Sequence, residues 1–210
     1  MTLSDFNNIP FQPSALDSLF PKMTDIQSKS ERLAKEGKSI RLRRGLYVLS
    51  PAISGNALSL FLIANQLYGP SYVSMQSALR YYGLIPERVY ETISVTSKIS
   101  KVFENTLGRF RYIHCSDVSY PIGITSQLEE GVRFLIATPE KALCDLIALT
   151  PNLNIRYRKG LIEFLEEDIR MEMDDLLKFD TGLLKEICKN SKKKNTIQNL
   201  IKIIEDERIV

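Results

Sequence analysis

Ser39-Ile40-Arg41-Leu42-Arg43-Arg44-Gly45-Leu46-Tyr47-Val48-Leu49 is the stretch that decides how the N-terminal part of the chain folds. Ile40 and Leu42 alternate with Arg41 and Arg43, the period-two pattern of a strand with one apolar and one positive face. Gly45 suits a tight connection that needs positive φ and pushes Arg44 to its tip. Leu46 and Val48 then supply a second apolar strand. The predicted product is a β-hairpin whose Arg41, Arg43 and Arg44 form a wing able to lie along a phosphate backbone or reach into a minor groove.

Moving outward, the residues before the hairpin predict a helix from Thr24 to Glu36. Thr24 is a good N-cap, Gln27 completes a capping box, and Gly37 suits the left-handed position past the end. At about 100° per residue, Ile26, Ser30 and Leu33 share one face, with Ser28, Glu31, Arg32 and Lys35 opposite. Ser14 to Phe20 reads as a shorter helix capped by Ser14 and stopped by Pro21, so that Pro21-Lys22-Met23 becomes a turn between two helices. Helix, turn, helix and basic wing predict a winged helix-turn-helix. In it Ser28, Lys29, Glu31, Arg32 and Lys35 face a major groove, and Arg41, Arg43 and Arg44 hold the adjacent backbone. Charge agrees: eight cations and three acids between Lys22 and Arg44 give this segment +5, against +3 for all 210 residues.

Ser50 to Gly55 is rich in turn formers and reads as a linker. Beyond it, Asn56 is expected to cap a helix carrying Leu58, Phe61, Leu62, Ala64 and Leu67, and Ser74 a second one ending at Gly83. Tyr90 to Thr96, Arg109 to His114 and Val132 to Ile136 read as strands of an antiparallel sheet. Thr138-Pro139 opens another helix with Ala142, Leu143, Leu146 and Ile147 as its buried stripe. In it Glu140 favours the positive end of the helix dipole, and Asp145, one turn after Lys141, is expected to pair with it at the surface. From about Lys159 the pattern is helical, with an acidic run between Glu163 and Asp175 and a basic one from Lys189 to Lys194, both expected to be solvated.

Hydrolase and transferase signatures, glycine-rich phosphate loops and dinucleotide fingerprints are absent from the sequence. His114 and Cys115 are adjacent on a strand and point to opposite faces, poor geometry for one to activate the other. Cys115, Cys144 and Cys188 are widely spaced and suggest reduced, buried thiols rather than a disulfide framework or a metal site. The reading is therefore of a protein that is not an enzyme, with no catalytic residues, no metal and no cofactor. Without a secretion signal or a bilayer-length apolar stretch, it is expected in the cytoplasm and off the membrane.

Three segments, Arg41 to Val48, Tyr72 to Leu84 (YVSMQSALRYYGL) and Ala137 to Leu146 (ATPEKALCDL), together resemble the AbiEi-like antitoxins of bacterial type IV toxin-antitoxin, or abortive-infection, systems. They occur in the order of that family and span most of residues 11 to 150. The helical tail beyond Asn154 matches no motif of that family. The resemblance implies an N-terminal winged helix-turn-helix that represses its own operon by binding promoter repeats in double-stranded DNA. It also implies a second domain antagonising a nucleotidyltransferase-type toxin without requiring a stable complex. The expected architecture is α+β: a winged helix-turn-helix over residues 1–50, a mixed helix and antiparallel-sheet antitoxin domain over 54–150, and a helical extension over 151–210 packed on it. The alternative is a stand-alone winged-helix transcription regulator whose second domain senses a ligand or partner.

Overall fold

The computed structural model describes residues 2–17, 19–20, 25–86 and 90–208. The chain opens with two short 3-10 turns, Leu3–Phe6 and Pro13–Leu16. The second stands where a helix from Ser14 to Phe20 is expected, and it corrects that expectation. So short a stretch gains little from intrinsic helicity. Pro13 opens the turn from the Gln12 cap, and burial of Leu16 fixes it. The predicted turn at Pro21-Lys22-Met23 lies outside the described residues, as does Thr24.

Helix α1 (Ile26–Lys35) is capped by Asp25, whose carboxylate accepts from the Ser28 N–H at 3.0 Å. The expected capping-box partner, Gln27, instead donates to the Tyr47 hydroxyl across 3.5 Å. Ser30 and Leu33 are buried, as the helical period predicts, and Gly37 takes φ +70°. Strands β1 (Ser39–Arg43) and β2 (Leu46–Leu49) form the antiparallel hairpin, with Gly45 at φ +72° in its tip. All four residues of β2 are buried. Tyr47 and Leu49 join Phe11, Leu16 and Leu33 in a small N-terminal cluster, whereas Leu46 and Val48 join Leu42 in the main core.

Helix α2 (Pro51–Ser54) is one turn long. Helix α3 (Leu60–Leu67) is capped by Ser59, which accepts from the Leu62 N–H at 3.2 Å. Asn56, the expected cap, lies three residues too early and donates to the Asn7 side chain at 2.6 Å. Then follow β3 (Ser71–Val73), α4 (Met75–Tyr81), β4 (Glu91–Thr96), β5 (Lys101–Asn105), β6 (Gly108–His114), β7 (Ile124–Glu129) and β8 (Val132–Ala137). They build a six-stranded sheet in the order β5-β6-β4-β3-β8-β7.

The sheet is mixed, which corrects the antiparallel expectation: β4 runs parallel to β6 and β3 parallel to β8. The hairpin β5-β6 swings outward, so β5 takes the border and β6 enters beside β4 in the same direction. Alternation within a strand reports its two faces and not its partners, so this order is invisible to it. Helix α3 packs on one face, with Phe61 against Phe134 at 5.2 Å between ring centroids and the Tyr112 hydroxyl donating to the Ala64 carbonyl.

Helix α5 (Pro139–Leu149) packs on the opposite face and begins as the sequence predicts, with Thr138 as cap and Pro139 in the first position. After it come α6 (Arg158–Glu163), a π-helical turn (Phe164–Asp168), α7 (Met173–Leu176), α8 (Thr181–Lys189) and α9 (Lys194–Glu207). Leu161, Leu184, Leu200 and Ile204 bring these helices into the same core as the sheet. The fold is α+β, and among the described residues no helix is long and apolar enough to cross a membrane. The three cysteines are free and buried.

Because, among the described residues, five buried side chains make the N-terminal cluster, it should yield before the main core does. Replacing Leu33 by Ala is expected to cost about 2–5 kcal/mol there. Amide exchange should then speed up in α1 and β2 while α5 and β8 keep their protection.

Candidate nucleic-acid interface

The structure spreads the eight residues expected to meet DNA over three different situations. Lys35, Arg41 and Arg44 are exposed, and their charged groups have no hydrogen-bond or ion-pair partner among the described residues. Arg41 stands opposite Tyr47 in the hairpin register, on the face against which α1 packs, so its guanidinium lies on the same side as the helix. Arg32 is exposed in a loose pair with Glu36 at 3.7 Å, Glu31 is half-buried, and Lys29 sits 4.4 Å from the centre of the Phe20 ring.

Ser28 and Arg43 are spoken for inside the protein. Ser28 gives both its N–H and its hydroxyl to Asp25, and these bonds hold the Asp25 carboxyl below the usual carboxylate range. Arg43 follows a register irregularity: Arg41 faces Tyr47 but Arg43 faces Leu46, which turns its side chain out of the simple alternation. Its Nε donates to the Leu67 carbonyl at 3.1 Å and its guanidinium also reaches the Arg44 carbonyl at 3.3 Å. Leu67 is the last residue of α3, where carbonyls lack intrahelical donors and a cation is favoured. Arg43 thereby clamps the hairpin to the body of the protein, and Asn105 of β5 adds a second tie by donating to the Leu42 carbonyl at 3.1 Å. Neither tie leaves a signature in sequence spacing.

The other two segments that carry the resemblance meet in the interior. Lys141 and Asp145 are 1% and 3% exposed, and their ion pair of 2.9 Å is buried, which corrects the expectation of a surface pair. Lys141 also donates to the Ser119 carbonyl at 2.9 Å, and Asp145 accepts from the Tyr72 and Ser74 hydroxyls at 2.9 and 2.8 Å. Burial lifts the Asp145 carboxyl above its ordinary range, opposed by Lys141 and by these hydrogen bonds. Burial, reinforced by the neighbouring Asp145, likewise pushes the Tyr72 hydroxyl far up. Gly123 crosses directly over Lys141, where a Cβ would come within 2.8 Å of the lysine Cβ. Glu140 is buried as well, and accepts from the Asp180 N–H at the start of α8.

The sequence did carry a signal for this arrangement. Glu140 to Ile147 are all buried, and Ala142, Leu143, Cys144, Leu146 and Ile147 wrap more than one face of α5. A helix apolar on most sides is covered on most sides, and its polar residues go inside with it. His114 is exposed, with Nδ1 2.8 Å from the Lys98 carbonyl, while Cys115 is buried. No group of three or more His, Cys, Asp or Glu among the described residues is placed to hold a metal ion.

No family model matches the chain, and no curated protein matches it.

A buried pair broken on one side leaves an uncompensated charge. Asp145→Ala is expected to destabilise the protein by about 3–5 kcal/mol, and the Lys141→Met, Asp145→Leu double variant by clearly less. Urea midpoints of the two variants check this. Equal losses would show that the pair is not the element being broken.

Proposed function

We propose that the chain binds double-stranded promoter DNA through α1 and the β1-β2 hairpin, repressing its own operon, and acts as an AbiEi-like antitoxin against a nucleotidyltransferase-type toxin. The observation that carries the first half is the placement of Lys35, Arg41 and Arg44. Three cations without protein partners among the described residues lie on a helix and on the hairpin packed against it, so one strand of a duplex can meet both. In this reading Arg32 joins them once Glu36 is displaced, and Arg43 positions the wing from behind rather than touching DNA.

The antitoxin half rests on the three segments of resemblance. Two of them build the buried Lys141, Asp145, Tyr72 and Ser74 network, which gives the motif residues a shared physical role in holding the second part of the fold. Since these polar residues are spent on one another inside the protein, the antagonism is read as binding or regulation.

Replacing Lys35, Arg41 and Arg44 with Ala should weaken binding to the chain's own promoter region and flatten its dependence on salt. The slope of log K against log salt should fall by about 0.9 for each phosphate that is no longer neutralised. An unchanged slope would remove the interface. Co-expression with a nucleotidyltransferase encoded beside the chain should restore growth, and should do so equally with the triple variant. Failure of rescue would remove the antitoxin reading and leave the DNA reading standing.

A further inference from the structure

The six-stranded sheet is open at one place. Strands β3 and β8 run parallel but register at a single pair, Val73 with Ile136, and before that pair they part. Asn65 of α3 stands in for the missing ladder. Its Nδ2 donates to the Ser71 and Leu135 carbonyls at 3.4 and 3.2 Å, and its Oδ1 accepts from the Leu135 N–H at 2.7 Å.

Beside this brace lies a crevice of about 380 Å³. Residues of both sheet faces line it: Ser71 and Phe134 from one, Ser126 and Arg133 from the other, with Leu62 and Gln66 of α3 above the gap. The crevice is thus a break through the sheet and not a dimple on one face. Mostly apolar walls with a few convergent polar groups are what small organic ligands occupy.

Two of those polar groups lack partners among the described residues. Ser71 is 5% exposed, and its hydroxyl makes no hydrogen bond there. Buried hydroxyls are ordinarily satisfied, and one that is not calls for an explanation. Arg133 is exposed at the rim, with no carboxylate at ion-pair distance among the described residues. A guanidinium fork recognises carboxylates in two-point fashion.

We propose that this crevice is an effector site for a small organic carboxylate with a flat apolar body. The carboxylate pairs with Arg133 and the body lies against Leu62 and Phe134. The site is tied to the hairpin by one element. Helix α3 supplies Leu62, Asn65 and Gln66 to the crevice and ends at Leu67, whose carbonyl receives Arg43. A ligand that resets α3 therefore resets the wing, and this coupling rests on the DNA-binding reading given above.

The test is an amide-shift NMR titration of the full chain with benzoate, with benzamide as the uncharged analogue. Benzoate is expected to bind saturably. Benzamide binding and benzoate binding to Arg133→Gln should both be weaker by about tenfold or more, the worth of a charged hydrogen-bonded pair. No saturable binding, or equal binding to Arg133→Gln, overturns the site. A second arm measures promoter DNA with and without benzoate. Its affinity should shift by about fivefold or more in the native chain and not in Arg43→Ala. An unshifted affinity overturns the coupling alone. Loss of DNA binding with benzoate binding intact overturns the DNA reading alone, and DNA binding without benzoate binding overturns the crevice alone.

Discussion

A strand buried on both faces has no free side to give up, and β2 is such a strand. Tyr47 and Leu49 look into the N-terminal cluster with Leu33 of α1, and Leu46 and Val48 look into the main core. Each side chain that secures α1 therefore has a neighbour one residue away that secures the hairpin to the sheet domain. Arg43 and Asn105 repeat the attachment with polar bonds to the Leu67 and Leu42 carbonyls. The basic face is consequently carried on a rigid mount. A hairpin free to flap would lose orientational entropy on meeting a partner, and one already anchored loses less.

The sequence shows the hairpin, its glycine tip and the exposed face of α1 plainly, because these depend on periodicities of two and of 3.6 residues. It also shows the Thr138-Pro139 start of α5, where cap chemistry is purely local. It does not show that β2 is covered twice, since four successive apolar residues such as Leu46 to Leu49 read the same in a half-buried or a central strand once Tyr47 is taken as amphipathic. The mixed strand order was hidden for a related reason: β4, β6, β3 and β8 find their partners across long separations. Of the site residues, Lys35, Arg41 and Arg44 are where the pattern puts them. Ser28 and Arg43 are exposed as well, but nearby acceptors, Asp25 and the end of α3, take their polar groups.

The polar interior around α5 gives the middle of the molecule its specificity. Hydrophobic side chains of similar size can exchange places at small cost, but Asp145 accepts only from donors aimed at it. Tyr72 in the middle of β3, Ser74 at the cap of α4 and Lys141 on α5 are all held to that one carboxylate. The fold thereby fixes where β3 ends and how α4 and α5 cross. The adjoining part of the sheet, between β3 and β8, is the part left unzipped. A stiff polar knot beside an open seam lets the seam stay open without the sheet slipping in register.

One quieter feature follows from how completely the core is closed. Cys115, Cys144 and Cys188 are all interior, and burial raises each thiol above its usual range. Thiolates are the reactive form, so burial disfavours oxidation and exchange at all three. The folded protein thus keeps its sulfurs in the protonated form that reacts least with oxidants.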